Sequence, residues 1–383
     1  MPNPADDRPP EIKPLTSLRF VFAVVVFLCH YPGSAKAVFP EGFIGVEFFF
    51  ILSGFMLSYN YKSKITEKKM PLRGFFLARI ARIYPTHLAT FLLSAMLLAR
   101  SSLKDQGAVV LPWLKAFFNI TLLQSFIPVS SYYLSFNIIS WSISDEVFFY
   151  LLFPLLIRVF TKNGLKMKTA AGLLILIAYF TAIRLVPGQY HHALFYISPF
   201  TRILDFIWGM GLFHIWRYIK SAGIKTGETF RGKCLSTIIE ILPVCLLVIM
   251  VMQADKISLT YRLASCYWIP LALLVLCFTQ LFGEGIIQKI LSSRPFVFLG
   301  KTSFAFYMLH YMMLSLVPAA AKRLLKLDLD GMRPAVRFTI IFTAALTAGI
   351  ICFYCFETPA NKFIRGILAK RRGNSGGASR NAA

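Results

Sequence analysis

Acidic residues are few: 17 Asp and Glu stand against 41 Lys and Arg in 383 residues, a formal net charge of +24. Such an excess is one mark of a nucleic-acid-binding protein. Here the basic residues fall between long apolar runs and not on one soluble face, so nucleic acid is not an expected partner. Cysteines number seven: Cys29, Cys234, Cys245, Cys266, Cys277, Cys352 and Cys355. Nearly all lie in apolar runs, which excludes a disulfide framework. The Cys352-x-x-Cys355 pair has redox spacing but sits inside the last apolar run. There is no G-x-S-x-G elbow, no P-loop and no H-E-x-x-H, and no metal is expected. No cleavable signal-peptide pattern precedes the first apolar run; the opening residues are polar and proline-rich. The absence of an internal repeat argues against a transporter built from duplicated halves.

What remains is apolar sequence. The hydrophobic set makes up 57% of the chain, and mean hydropathy is +0.63, beyond the usual range of soluble domains. A span needs about 20 apolar residues. The pattern predicts an all-α, polytopic integral membrane helical bundle of about ten transmembrane helices, near 15–34, 42–61, 84–100, 141–160, 169–187, 198–217, 234–254, 263–282, 297–317 and 335–356. Segment 108–126 is apolar but holds Pro112 and Lys115; as a span it would make an eleventh, otherwise it is re-entrant or interfacial. Basic residues crowd 62–82, 158–168 and the tail. With both termini inside, the positive-inside rule places all three on the cytoplasmic side of a bacterial inner membrane. Lys322, Arg323 and Lys326 then fall outside, against the rule. The chain divides into a cytoplasmic segment 1–14, a membrane domain 15–366 and a basic tail 367–383 of disordered composition.

Ionisable groups inside spans are costly and mark function. Arg19 and His30 share the first span. Eleven residues at 100° each return to within about 20° of the start, so both point to one face, separated by roughly 16 Å. A phosphate-bearing head held at Arg19 would put the end of a long arm beside His30, and acyl-coenzyme A has that shape. Cys29 adjoins His30 but points about 100° away. Arg79 and Arg82, at i and i+3, present two guanidiniums suited to phosphate. Glu47 lies in a strongly apolar run, where a carboxylate needs a partner such as an arginine. Ser142 and Glu146 share a face where the fourth span opens, and Glu146 is a candidate proton acceptor, histidine orienter or sugar ligand. Arg202 and Asp205, at i and i+3, are expected to pair. Ser303, Tyr307 and His310 form a polar stripe on one face.

These motifs in order resemble the acyltransferase-3 family of integral membrane sugar O-acyltransferases. LTSLRFVFAVVVFLCH carries the Arg-x10-His pattern. IGVEFFFILSGF resembles the second-span block, with Glu47 where Asp is more usual, and ARIARIYP the Arg-x-x-Arg motif. WSISDEVFFYLLFP, RILDFIWGMG, FLGKTSFAFYMLHY and FETPANKFI resemble the later blocks. The resemblance covers about residues 13 to 366. It implies about ten spans, a cytoplasmic acyl-CoA donor, acetyl-CoA first among them, and a hydroxyl acceptor on a carbohydrate or lipid-linked sugar. Polysaccharide-assembly proteins are the partners it suggests.

Together these readings predict an O-acetyltransferase. Arg19, Arg79 and Arg82 hold the donor phosphates, and His30 is the base, with Glu146 and His310 as further catalytic candidates. Ser142, Glu47 and Tyr307 are assigned to substrate. The alternative is a transporter or flippase for a glycolipid or organic acid, whose intramembrane charges would line a pathway.

Overall fold

The computed structural model describes residues 9–32, 39–102, 110–162, 164–223 and 229–366, which form helices and turns with no strand. Residues 1–8 and the basic tail after 366, expected to be cytoplasmic and, for the tail, of disordered composition, lie outside the described residues. The principal helices are α1 (Lys13–His30), α2 (Ile44–Thr66), α3 (Leu72–Ser102), α4 (Val110–Ile120), α5 (Trp141–Lys162), α6 (Leu165–Leu185), α7 (Pro199–Ser221), α8 (Phe230–Met252), α9 (Leu259–Ala264), α10 (Trp268–Cys277), α11 (Arg294–Leu324) and α12 (Pro334–Cys352). The last continues through a wide π turn at Phe353–Glu357.

Each predicted span falls on helix, but among the described residues seven helical segments are long and apolar enough to cross a membrane. The other three predicted spans are α3, α5 and α7, the helices that carry Arg79 and Arg82, Asp145 and Glu146, and Arg202 and Asp205. Segment 108–126 is not among those seven; its described part is the helix α4, Val110–Ile120, followed by turns. Polar stitches turn the chain back after it: Asn119 Nδ2 donates to Ser135 Oγ at 2.7 Å, and Gln124 Nε2 to the Ser140 carbonyl at 3.1 Å. The region 62–82 also differs from a basic loop. Residues 67–71 alone join α2 to α3, so Arg79 and Arg82 sit well inside a helix.

The bundle is layered by burial. The spanning part of α2 is 72% buried, against 11% for α6 and 17% for α8, so α2 is the central post and the others face lipid with exposed residues such as Leu173, Leu174, Ile238 and Leu242. Contact between α2 and α7 is backbone to backbone. A Cβ on Gly54 would fall on the Phe206 carbonyl oxygen, and one on Gly209 on that of Ile51. Small residues permit such approach where lipid supplies no hydrophobic drive between helices. Gly300 does the same for α11 against the Thr16 carbonyl of α1, which fixes the pair of helices bearing His30 and His310. Ser17 of α1 is tied to a short helix, Ile286–Leu291, by a bond from its hydroxyl to the Leu291 carbonyl. The N-terminus of that short helix is capped by Glu240 of α8, which accepts from the amides of Gly285, Ile287 and Gln288 and from the Gln288 side chain.

Candidate active site

A cavity of about 450 Å³ enters the bundle beside both described ends of the chain, with Pro9, Pro10, Glu11, Lys301 and Arg365 among its lining. It follows α2 from Tyr61 to Val46, a depth of roughly 22 Å at helical rise. Arg19, Arg79 and Arg82 all line it, from two helices, so the three arginines singled out by spacing converge in space. Arg79 is buried and held in place. Its Nη2 donates to the Tyr61 hydroxyl at 2.7 Å, and its guanidinium lies over the Tyr61 ring at 4.8 Å and the Tyr150 ring at 5.9 Å. Glu146 also lines the cavity and accepts from the Tyr150 hydroxyl at 2.8 Å. It lies within electrostatic reach of all three arginines.

Ser142 and Tyr307 stand on the α5 and α11 walls of the cavity. Ser142 Oγ donates to the Ile139 carbonyl at 3.0 Å, so the Tyr307 hydroxyl is the donor in the 2.9 Å contact with Ser142. Ser303 lines the same wall one turn earlier. His310 is one turn beyond Tyr307 and fully buried, and neither it nor His30 is among the lining residues. The two histidines meet there: His310 Nε2 is 3.2 Å from His30 Nδ1. His30 is the last residue of α1, half-buried, with the Tyr311 ring edge-on at 5.4 Å. The site therefore has two parts, a basic cavity and a histidine pair, bridged by the Tyr307–His310 turn of α11.

The structure separates Glu146 from Glu47. Glu146 is placed among the arginines, bonded to Tyr150, and the ring that meets His30 Nδ1 is that of His310. Glu47 does not line the cavity. It is fully buried, and neither carboxylate oxygen has a hydrogen-bond partner among the described residues. It belongs to a buried charge cluster with Arg202 and Asp205. That pair forms the expected ion bridge, Nη2 to Oδ2 at 2.7 Å. Trp268 Nε1 also donates to Asp205, and the Arg202 guanidinium lies over Phe50 at 5.5 Å. The cluster sits where α2 and α7 cross and reads as an internal pin.

Sequence reasoning missed Glu357, Lys301, Arg365 and Tyr150 as cavity residues. Glu357 lies in the FETPANKFI block, and a carboxylate beside an apolar run was its signal. No local pattern in the sequence marks the other three. No disulfide joins any of the seven cysteines, Cys352 and Cys355 included. Among the described residues there is no group of three or more His, Cys, Asp or Glu placed to hold a metal.

Residues 14–357 match the family model of an acyltransferase domain. The chain belongs to the acyltransferase-3 family. It is 30% identical over 326 residues to the acyltransferase MdmB of Streptomyces mycarofaciens, an alignment covering 78% of each chain. It is 24% identical over 337 residues to the peptidoglycan O-acetyltransferase OatA of Listeria monocytogenes, which covers 84% of this chain and 51% of that protein. The chain thus spans about half the length of that second relative. No solved structure matches. Family and helices together make this acyltransferase-3 member a multi-pass membrane O-acyltransferase.

Proposed function

We propose that the enzyme transfers an acetyl group from acetyl-CoA to a hydroxyl of a cell-envelope or exported carbohydrate, free or lipid-linked, at a bacterial inner membrane. The observation that carries this reading is the convergence of Arg19, Arg79 and Arg82 in one deep cavity. Guanidinium forks suit the diphosphate and ribose phosphate of a CoA donor. A cavity running along α2 suits an extended arm that carries the thioester inward, past Ser142 and Tyr307, toward the histidine pair. His30 takes the proton of the acceptor hydroxyl, work for which imidazole is suited near neutral pH. The cavity mouth lies beside both described ends, which fits a cytoplasmic donor side. The peptidoglycan O-acetyltransferase relative favours a carbohydrate acceptor.

The test uses protein purified in detergent, acetyl-CoA labelled in the acetyl group, and envelope carbohydrate as acceptor. Thiol release and label transfer are followed in wild type, His30→Ala and Arg19→Ala. We expect His30→Ala to remove turnover with CoA binding retained, and Arg19→Ala to weaken CoA binding about tenfold or more. Equal loss of CoA binding in both would sink this division of roles.

A further inference from the structure

We infer that His310 is a positioning residue that holds the proton of His30 on Nδ1 and so leaves Nε2 as the basic nitrogen. The inference rests on the reading of His30 as the base. A neutral imidazole carries one N–H, and the partner of each ring nitrogen decides where it sits. His310 Nδ1 is 2.6 Å from the Tyr307 carbonyl oxygen, which can only accept. Its proton is therefore on Nδ1, and Nε2 offers a lone pair. That lone pair faces His30 Nδ1 at 3.2 Å. His30 Nδ1 also lies 2.9 Å from the Val26 carbonyl oxygen, a second group that can only accept. Both neighbours of His30 Nδ1 thus demand a donor there. The order is fixed from the backbone outward: the Tyr307 carbonyl sets His310, and His310 with Val26 sets His30.

The arrangement can hold because His310 cannot turn. It is fully buried, with the rings of Phe27 and Phe306 each 6.1 Å away, the latter stacked, and Tyr307 at 5.7 Å.

The chemical consequence is specific. The acceptor hydroxyl gives its proton to His30 Nε2 as its oxygen bonds to the thioester carbonyl carbon. The carbon–sulfur bond then breaks, and the proton returns from Nε2 to the leaving thiolate. While His30 is an imidazolium, its Nδ1–H bond to the His310 lone pair becomes charge-assisted and strengthens. His310 thus does what an orienting carboxylate does elsewhere, with a neutral group.

Two measurements test this. The first compares His310→Met, which keeps bulk but offers no comparable acceptor, with His310→Gln, whose side-chain oxygen reaches the place of Nε2. We expect His310→Met to lower kcat roughly 10- to 100-fold, with the Kd for CoA within about twofold of wild type, and His310→Gln to recover most of the loss. A His310→Met enzyme with wild-type kcat overturns the inference. So does a His310→Gln enzyme that binds CoA normally but is as slow as His310→Met. The second needs no activity. Solid-state NMR of protein labelled with 15N in its six histidines, with His30 assigned by loss of its signals in His30→Ala, reads the tautomer directly. A neutral His30 protonated on Nδ1 in wild type and redistributed in His310→Met supports the inference, and a His30 protonated on Nε2 in wild type overturns it. If the tautomer is as stated but wild type moves no acetyl group, the assigned reaction fails and the positioning stands.

Discussion

The hydroxyl of Tyr61 accepts a hydrogen bond from Arg79 Nη2 at 2.7 Å while its ring lies under the same guanidinium. One residue of α2 thus holds an α3 arginine by its edge and its face. Tyr61→Phe keeps the ring and removes the bond. We expect the Kd for CoA to rise about three- to tenfold, in line with the roughly 1 kcal/mol net worth of a typical hydrogen bond, with kcat little changed. Calorimetric titration of CoA checks this, and an unchanged Kd would mean that the ring alone orients Arg79.

Glu357 puts a carboxylate into the cavity within electrostatic reach of Arg82 and Arg19, with its Oε2 buried and unpartnered among the described residues. A fixed anion there competes with a bound one. Glu357→Gln is expected to tighten CoA binding about three- to tenfold, since charge neighbours at this range contribute on the order of 1 kcal/mol. Weaker binding in that variant would instead assign Glu357 the task of holding the arginines in place.

The Arg202–Asp205 bridge is a matter of stability. Removing one partner leaves uncompensated charge in the interior at a cost of about 3–5 kcal/mol. Arg202→Met should therefore lower the thermal midpoint in detergent markedly. Glu47→Gln, outside the cavity, should leave the Kd for CoA as in wild type. A Glu47→Gln protein that retains its fold but no longer binds CoA would contradict the placement of Glu47.

At the α2–α7 crossing, any side chain at Gly209 meets the Ile51 carbonyl. Gly209→Leu should separate the two helices and yield little monodisperse protein by size exclusion. Wild-type yield and melting would refute that crossing.

Much of this was legible in the sequence, for reasons that differ by residue. The apolar runs gave the helices, because lipid forces backbone groups to pair within each segment. Arg19 and His30 could be placed on one face because helical periodicity is strict. What the sequence could not carry was depth and partnership across helices. Nothing in the spacing of Glu146 separates a neighbour of His30 from a neighbour of Tyr150, 2.8 Å away. Nor does any local signal bring His310 to His30 across 280 residues of chain. Glu47 is a like case: intramembrane charge announces a partner such as an arginine but does not say that it is Arg202. Segment 108–126 was ambiguous because its apolarity is real, while the bonds that Asn119 and Gln124 make to Ser135 and Ser140 after the helix have no signature in spacing.

The three helices that fall short of spanning apolarity, α3, α5 and α7, hold the polar interior between strongly apolar neighbours. Charged groups within a span are costly unless something shelters them. Arg202 and Asp205 pair within α7 itself, whereas Arg79 of α3 is held by Tyr61 of α2, so α3 depends on its neighbour for shelter in a way that α7 does not.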